Sequence, residues 1–77
     1  MREYYVSFAS ALEVHDFVSI ATKQHFPIQV ERGNLKTNAK SIMSLCSMGF
    51  NRPLHVTLPE SADAEGFLAA VKAYLVA

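Results

Sequence analysis

The hydrophobic residues near the start of the chain change their spacing abruptly, and this change restricts the fold more than any other feature. In the segment REYYVSF apolar and polar side chains alternate, so that Tyr4, Val6 and Phe8 share one face, as in a half-buried β-strand. The next apolar residues follow helical spacing and form one stripe: Val14, Phe17, Val18 and Ala21. The pattern predicts a strand followed by an amphipathic helix that packs on it.

A capping-box pattern marks the start of this helix. Ser10 is followed three residues later by Glu13, a spacing at which the two side chains accept hydrogen bonds from each other's backbone N–H groups. We therefore expect the first helix to begin at Ala11 and to end near Gln24, before Pro27.

The middle of the chain predicts a hairpin and a short helix. Ile28 and Val30 alternate with polar residues, and the Arg-Gly-Asn that follows suits the positive φ of a tight turn before a returning strand, LKTN. The short helix is expected from Ser41 to Met48, with Gly49 ending it.

The remaining segment predicts one more strand and one more helix. Ser61 is expected to cap the helix, with Asp63 and Glu65 in its first turn. Gly66 inside the helix favours close packing against a neighbour, because glycine there otherwise costs about 1 kcal/mol relative to alanine. The inward residues of the two elements are Leu54, Val56, Leu58, Ala64, Phe67, Leu68, Val71 and Leu75.

The resulting order of elements is β-α-β-β-α-β-α, in a single domain of residues 1–77. Four strands with amphipathic helices predict an α+β fold, in which the helices cover one face of an antiparallel or mixed sheet. A length of 77 residues with 51% hydrophobic content allows a thin but real core.

Composition excludes several classes of function. Seven basic and seven acidic residues cancel, which argues against nucleic acid as the main partner. No apolar run approaches the roughly 18 residues of a membrane span, and the N-terminus has no signal-peptide pattern. The single cysteine, Cys46, excludes an internal disulfide. We expect a monomeric, cytoplasmic module without membrane insertion.

Sites for metal or covalent catalysis are not expected. His15, His25 and His55 lack the spacing of zinc ligands. Cys46 has no neighbouring base that would activate its thiol. With only three glycines, the chain also has no glycine-rich phosphate loop. We therefore predict no metal, no cofactor and no enzyme activity.

The segment AKSIMSLCSMGF, together with the order of elements, resembles HPr, the histidine-containing phosphocarrier of the sugar phosphotransferase system. The resemblance covers nearly the whole chain and is most specific in the Ala-Lys-Ser-Ile motif, the short helix and its terminal glycine. It implies the HPr-like open-faced β-sandwich, with a four-stranded antiparallel sheet and three helices on one face, and at most the activity of a phosphoryl carrier. It also implies protein partners, either of the enzyme I type or of the transcription-regulator type.

In HPr proteins the carrier histidine belongs to a His-x-Arg-Pro motif at the N-terminal end of the first helix. Alignment by the apolar stripe places Glu13 at the position of this histidine and His15 at that of the arginine, with Asp16 replacing the proline. Alignment by histidine instead makes His15 the phosphoacceptor. The helix start separates the two: a helix that begins after Ser10 leaves His15 one turn inside, without free N–H groups for a phosphate. A helix that begins after His15 restores the carrier.

The resemblance also implies a regulatory site at Ser41, since in some bacteria the serine of this motif is phosphorylated by a dedicated kinase. The same position suits an N-cap, in which case the serine has only a structural role worth about 1 kcal/mol. The sequence leaves both interpretations open.

Three apolar residues of the short helix correspond to an exposed docking patch of HPr-like domains: Ile42, Met43 and Cys46. By this correspondence Leu45 and Met48 point into the core. Exposed apolar patches mark protein partners, and methionine suits adaptable surfaces. The alternative is that all five side chains are buried.

The sequence therefore predicts an HPr-like, non-catalytic module that binds or regulates proteins and has lost the carrier histidine site. The alternative is a phosphocarrier that accepts phosphate on His15 from enzyme I and passes it to a sugar-transport component. A third interpretation is that Glu13 permanently imitates a phosphorylated carrier.

Overall fold

The computed structural model describes residues 2–49, 52–60 and 62–76, which form an α+β fold with an open antiparallel sheet. Within these residues five strands lie in the order β3-β2-β4-β1-β5. Their bounds are β1 Arg2–Val6, β2 Gln29–Arg32, β3 Leu35–Asn38, β4 Leu54–Leu58 and β5 Leu75–Val76. The three α-helices of the same residues are α1 Ala11–Thr22, α2 Ile42–Ser47 and α3 Glu65–Ala70, and a 3₁₀ turn follows at Lys72–Tyr74.

The predicted number of four strands was wrong, because the end of the chain adds a fifth. Leu75 was expected to continue the apolar stripe of the last helix. Instead α3 ends at Ala70, and Leu75 pairs with Val6 at the outer edge of β1. A strand of two residues is too short for alternation to reveal it.

The start of α1 at Ala11 is confirmed, but the reciprocal capping box is not. The Ser10 side chain makes no capping hydrogen bond. The Glu13 carboxylate does reach back over the start of the helix, where its Oε1 accepts from the backbone N–H of Ala9 at 2.9 Å. The helix ends at Thr22, two residues before the predicted end, and the hydroxyl of Thr22 donates to the carbonyl of Val18.

The core lies between the sheet and the helices. The stripe predicted for α1 is buried, and Phe17 packs between the rings of Phe8 and Phe67, whose centroids lie 5.2 and 5.9 Å away. The inward residues predicted for β4 are buried as well. Such aromatic contacts contribute about 0.5–1.5 kcal/mol each beyond the area that they bury.

Both predicted glycine turns are confirmed, whereas the predicted packing at Gly66 is wrong. Gly33 in the β2–β3 hairpin has φ 59°, and Gly49 after α2 has φ 91°. A Cβ added to Gly66 would meet nothing within 4 Å. Ser61, the predicted cap of the last helix, lies outside the described residues. Helix α3 begins at Glu65, so Asp63 precedes the helix and is not in its first turn.

Among the described residues, no helix has both the length and the hydropathy required to cross a membrane.

Candidate functional site

Helices α1 and α2 pack beside each other and leave an open groove of about 360 Å³ between them. We call it the α1–α2 groove. It is lined by His15, Val18, Ser19, Thr22, Lys23 and Ile42. The groove therefore joins the predicted histidine position on one helix to the predicted docking patch on the other.

His15 is exposed and lies one turn inside α1. The first hydrogen bond of the helix joins the N–H of Val14 to the carbonyl of Ser10 at 3.3 Å. The free N–H groups at the start of a helix belong to the residues that precede the first bonded N–H, here that of Val14. The His15 side chain is thus placed on the helix flank and not at its free N–H groups.

Glu13 lies in the first turn of α1. Its side chain is half-buried and is held by the bond from Ala9, so a carboxylate stands at the positive end of the helix dipole. Beside it Leu12 is 83% exposed, a feature that the sequence reasoning missed. The exposure of Leu12 could have been predicted from the sequence, because Leu12 falls outside the apolar stripe of α1.

Asp16, the other acidic neighbour of His15, is bound by the C-terminal segment. The hydroxyl of Tyr74 donates to Asp16 Oδ2 at 2.5 Å. This bond, together with burial and the negative charges of Asp16 and Glu13, raises the pKa of Tyr74 to about 12. No local pattern could have revealed a contact between residues 58 positions apart.

Ser41 is the N-cap residue of α2, but its side chain does not bind the free N–H groups of that helix. Its hydroxyl instead donates to the hydroxyl of Ser44 at 3.1 Å. The preceding Lys40 ties this turn to the end of α1, since its Nζ donates to the carbonyl of Gln24 at 3.1 Å. Ser41 is half-buried. Its turn is hydrogen-bonded to Ser44 in α2 and, through Lys40, to Gln24 just after α1.

The five apolar residues of the short helix divide between surface and core. Leu45 and Met48 are buried, whereas Met43 is 84% exposed. Ile42 and Cys46 are half-buried and pack against the core with part of their surface. The alternative in which all five are buried is therefore wrong.

The three histidines are not brought together. His15 lines the α1–α2 groove, His25 is exposed after α1, and His55 lies on β4 between Glu3 and Glu31. Across the part of the chain that the structure describes, no three His, Cys, Asp or Glu side chains are arranged to hold a metal ion.

Comparison with known proteins identifies the family. Residues 11–77 match the protein family described as the PTS HPr component phosphorylation site. No curated protein matches the chain. The family match spans both helices of the groove and most of the chain, and it agrees with the three helices and the antiparallel open sheet of the described residues. The chain belongs to the HPr family of phosphotransferase-system components.

Proposed function

We propose that this chain is a protein-binding, regulatory member of the HPr family that no longer carries phosphate on a histidine. The observation that supports it best is the start of α1 at Ala11, which leaves the His15 side chain on the flank of the helix. A phosphorylated histidine at that place would lack the N–H groups that stabilise phosphate at helix starts.

The charges around His15 support the same proposal. Glu13 and Asp16 are its acidic neighbours in the sequence of α1, and Glu13 stands at the start of the helix. A phosphoryl group carries about −1.5 to −2 charge at neutral pH and would be repelled by both carboxylates.

The docking surface that we propose consists of Ile42, Met43 and Cys46 together with the neighbouring α1–α2 groove. An exposed methionine beside two half-buried apolar residues provides an adaptable apolar contact. The proposed partners are proteins of the enzyme I type or of the transcription-regulator type. Burial of the Met43 side chain in such an interface would contribute about 1.5–3 kcal/mol.

Ser41 is the proposed regulatory phosphosite. Its hydroxyl makes no capping bond, so phosphorylation would break only the contact with Ser44. A phosphate there would place negative charge directly beside Ile42 and Met43 and would change which partners the docking surface accepts.

The second candidate function is a phosphocarrier that uses His15, and one observation favours it. The His15 side chain is exposed and lines the α1–α2 groove, where a partner's active site could reach it.

The docking proposal is tested by one substitution and its matched control. Met43→Ser should weaken binding to enzyme I about tenfold, because the interface loses an apolar anchor. Leu35→Ser removes an apolar side chain that is 61% exposed on β3 and should leave the affinity unchanged. Isothermal titration calorimetry measures both, and thermal unfolding should show that each variant is folded. Equal affinities of the two variants, or no binding by the wild-type chain, would contradict this docking surface.

A further inference from the structure

A second pocket lies at one end of the sheet and has a volume of about 330 Å³. It is lined by Pro27, Gln29, Thr57, Leu58 and Pro59, and we call it the proline pocket. None of these residues lines the α1–α2 groove. The volume is at the lower end of the range for small-molecule sites, roughly 300–1,000 Å³, and therefore suits a ligand with a single ring.

The two prolines form rigid walls where the pairing of β2 with β4 stops. The last pair of these strands joins Gln29 to Thr57. Pro27 precedes β2 and Pro59 directly follows β4, and neither has a backbone N–H that would extend the pairing. Because the ring of a proline also fixes its backbone φ, these walls need little ordering when a ligand enters. Their apolar rings suit the flat face of an aromatic ring.

Thr57 is the most buried polar residue of the proline pocket. Its neighbours Val56 and Leu58 belong to the core, so the alternation along β4 places the Thr57 side chain on the opposite, open face of the sheet. The residue is only 6% exposed, and within the described residues its hydroxyl has no hydrogen-bond partner. Every fully buried polar side-chain atom of those residues does have a partner. The Thr57 hydroxyl therefore belongs to the small accessible part of the residue, which lines the pocket.

The polar groups of the proline pocket match an uncharged amide. The Gln29 side chain, like the Thr57 hydroxyl, has no hydrogen-bond partner in the part of the chain that the structure describes, and both groups can donate and accept. A carboxamide would accept from the hydroxyl and donate to the side-chain oxygen of Gln29. The lining residues carry no charge, and the β1 residues opposite Leu58 and Thr57 are Arg2 and Glu3, which have opposite signs. An ion would therefore lose its water without gaining a net opposite charge.

We propose that the proline pocket binds a small, uncharged aromatic amide, with its ring against Pro27 and Pro59 and its carboxamide on Thr57 and Gln29. Burial of the ring supplies affinity, and the two polar side chains fix its orientation, as in other small-ligand sites. The proline pocket contains no residue of the docking surface or of the phosphosite, so this proposal does not depend on the proposed function.

Benzamide is the probe, and nitrogen-15 NMR spectra of the wild-type chain report its binding residue by residue. Additions up to about 20 mM should give saturable shifts at the backbone amides of Gln29, Thr57 and Leu58, with a Kd of about 1 mM, as expected for a ligand of so few atoms. Benzoate has the same ring with a negative charge and should bind at least about tenfold more weakly. The proposal is overturned if benzamide gives no saturable shifts, if the shifts centre on the α1–α2 groove, or if benzoate binds equally well.

Two variants test the polar contacts of the amide. Thr57→Val keeps the shape of the side chain and removes its hydroxyl, so the Kd for benzamide should rise about fivefold. Gln29→Ala shortens an exposed side chain, so the fold should tolerate it, and the Kd should rise by a similar factor. Thr37→Val is the matched control, because this half-buried threonine on β3 lies outside the proline pocket, and its Kd should equal that of the wild-type chain. Wild-type affinity in Thr57→Val, or in Gln29→Ala if Thr57→Val does not fold, would contradict the site.

Discussion

Phe17→Ala should lower the free energy of unfolding by about 3–5 kcal/mol, the largest effect that we expect from a single substitution. Phe17 is fully buried, and its ring contacts those of Phe8 and Phe67. Alanine would leave a cavity at the point where α1, α3 and the segment after β1 meet. Since a domain of this size has a total stability of roughly 4–12 kcal/mol, much of it would be lost.

Urea unfolding followed by circular dichroism measures this loss, and Leu12→Ala on the same helix is the matched control. Leu12 is exposed, so its substitution should change stability by less than about 0.5 kcal/mol. A small loss for Phe17→Ala, similar to that of the control, would show that the core is not built around this ring.

Gly49→Ala should lower the free energy of unfolding by about 2–3 kcal/mol. The backbone at Gly49 has φ 91°, which L side chains rarely adopt. A Cβ there would also lie 2.9 Å from Nη1 of Arg32, whose guanidinium donates a hydrogen bond to the carbonyl of Met48. Alanine therefore strains the backbone and displaces a charge-assisted bond at the end of α2.

Gly33→Ala separates these two contributions. Gly33 also has a positive φ, but a Cβ there would meet nothing within 4 Å, so only backbone strain of about 1 kcal/mol is expected. Thermal unfolding of both variants gives the comparison. A loss for Gly49→Ala no larger than that for Gly33→Ala would mean that the Arg32 contact with Met48 contributes nothing.

Much of the fold could be predicted from the sequence because burial on one side leaves a periodic pattern. Val14 and Phe17 illustrate this for α1, whose helical spacing places both against the sheet. Leu54 and Val56 do the same for β4. The turns at Gly33 after β2 and at Gly49 after α2 could also be predicted from the sequence, because their positive φ favours glycine.

The incorrect prediction for the last segment has a physical cause, which is that a distant contact decided the local structure. Leu75 continues a helical stripe in the sequence but is extended in the fold. The N–H of Ser7 donates to the carbonyl of Tyr74 at 2.9 Å, and β5 then pairs with β1. Hydrogen bonds with β1 therefore hold Leu75 in a strand although its sequence pattern is helical. At α1 the difference from the prediction is local: the Ser10 side chain makes no capping bond, and the Glu13 carboxylate accepts from the N–H of Ala9, four residues before it.

The candidate site was predictable to a smaller extent. The inward direction of Leu45 and Met48 followed from the family resemblance and is confirmed by their burial. The bond between Tyr74 and Asp16 joins two ends of the sequence and could not be predicted. It matters for the site because it holds the carboxylate of Asp16, the residue that follows His15 in the sequence.

The central claim, that no histidine of this chain carries phosphate, is tested most directly by intact-mass spectrometry. The wild-type chain and the His15→Ala variant are incubated with enzyme I and phosphoenolpyruvate, beside an authentic HPr as the positive control. We predict that the control gains an acid-labile phosphate of about 80 Da and that the wild-type chain gains none. An acid-labile gain on the wild-type chain that is absent from His15→Ala would contradict the claim and make His15 the carrier.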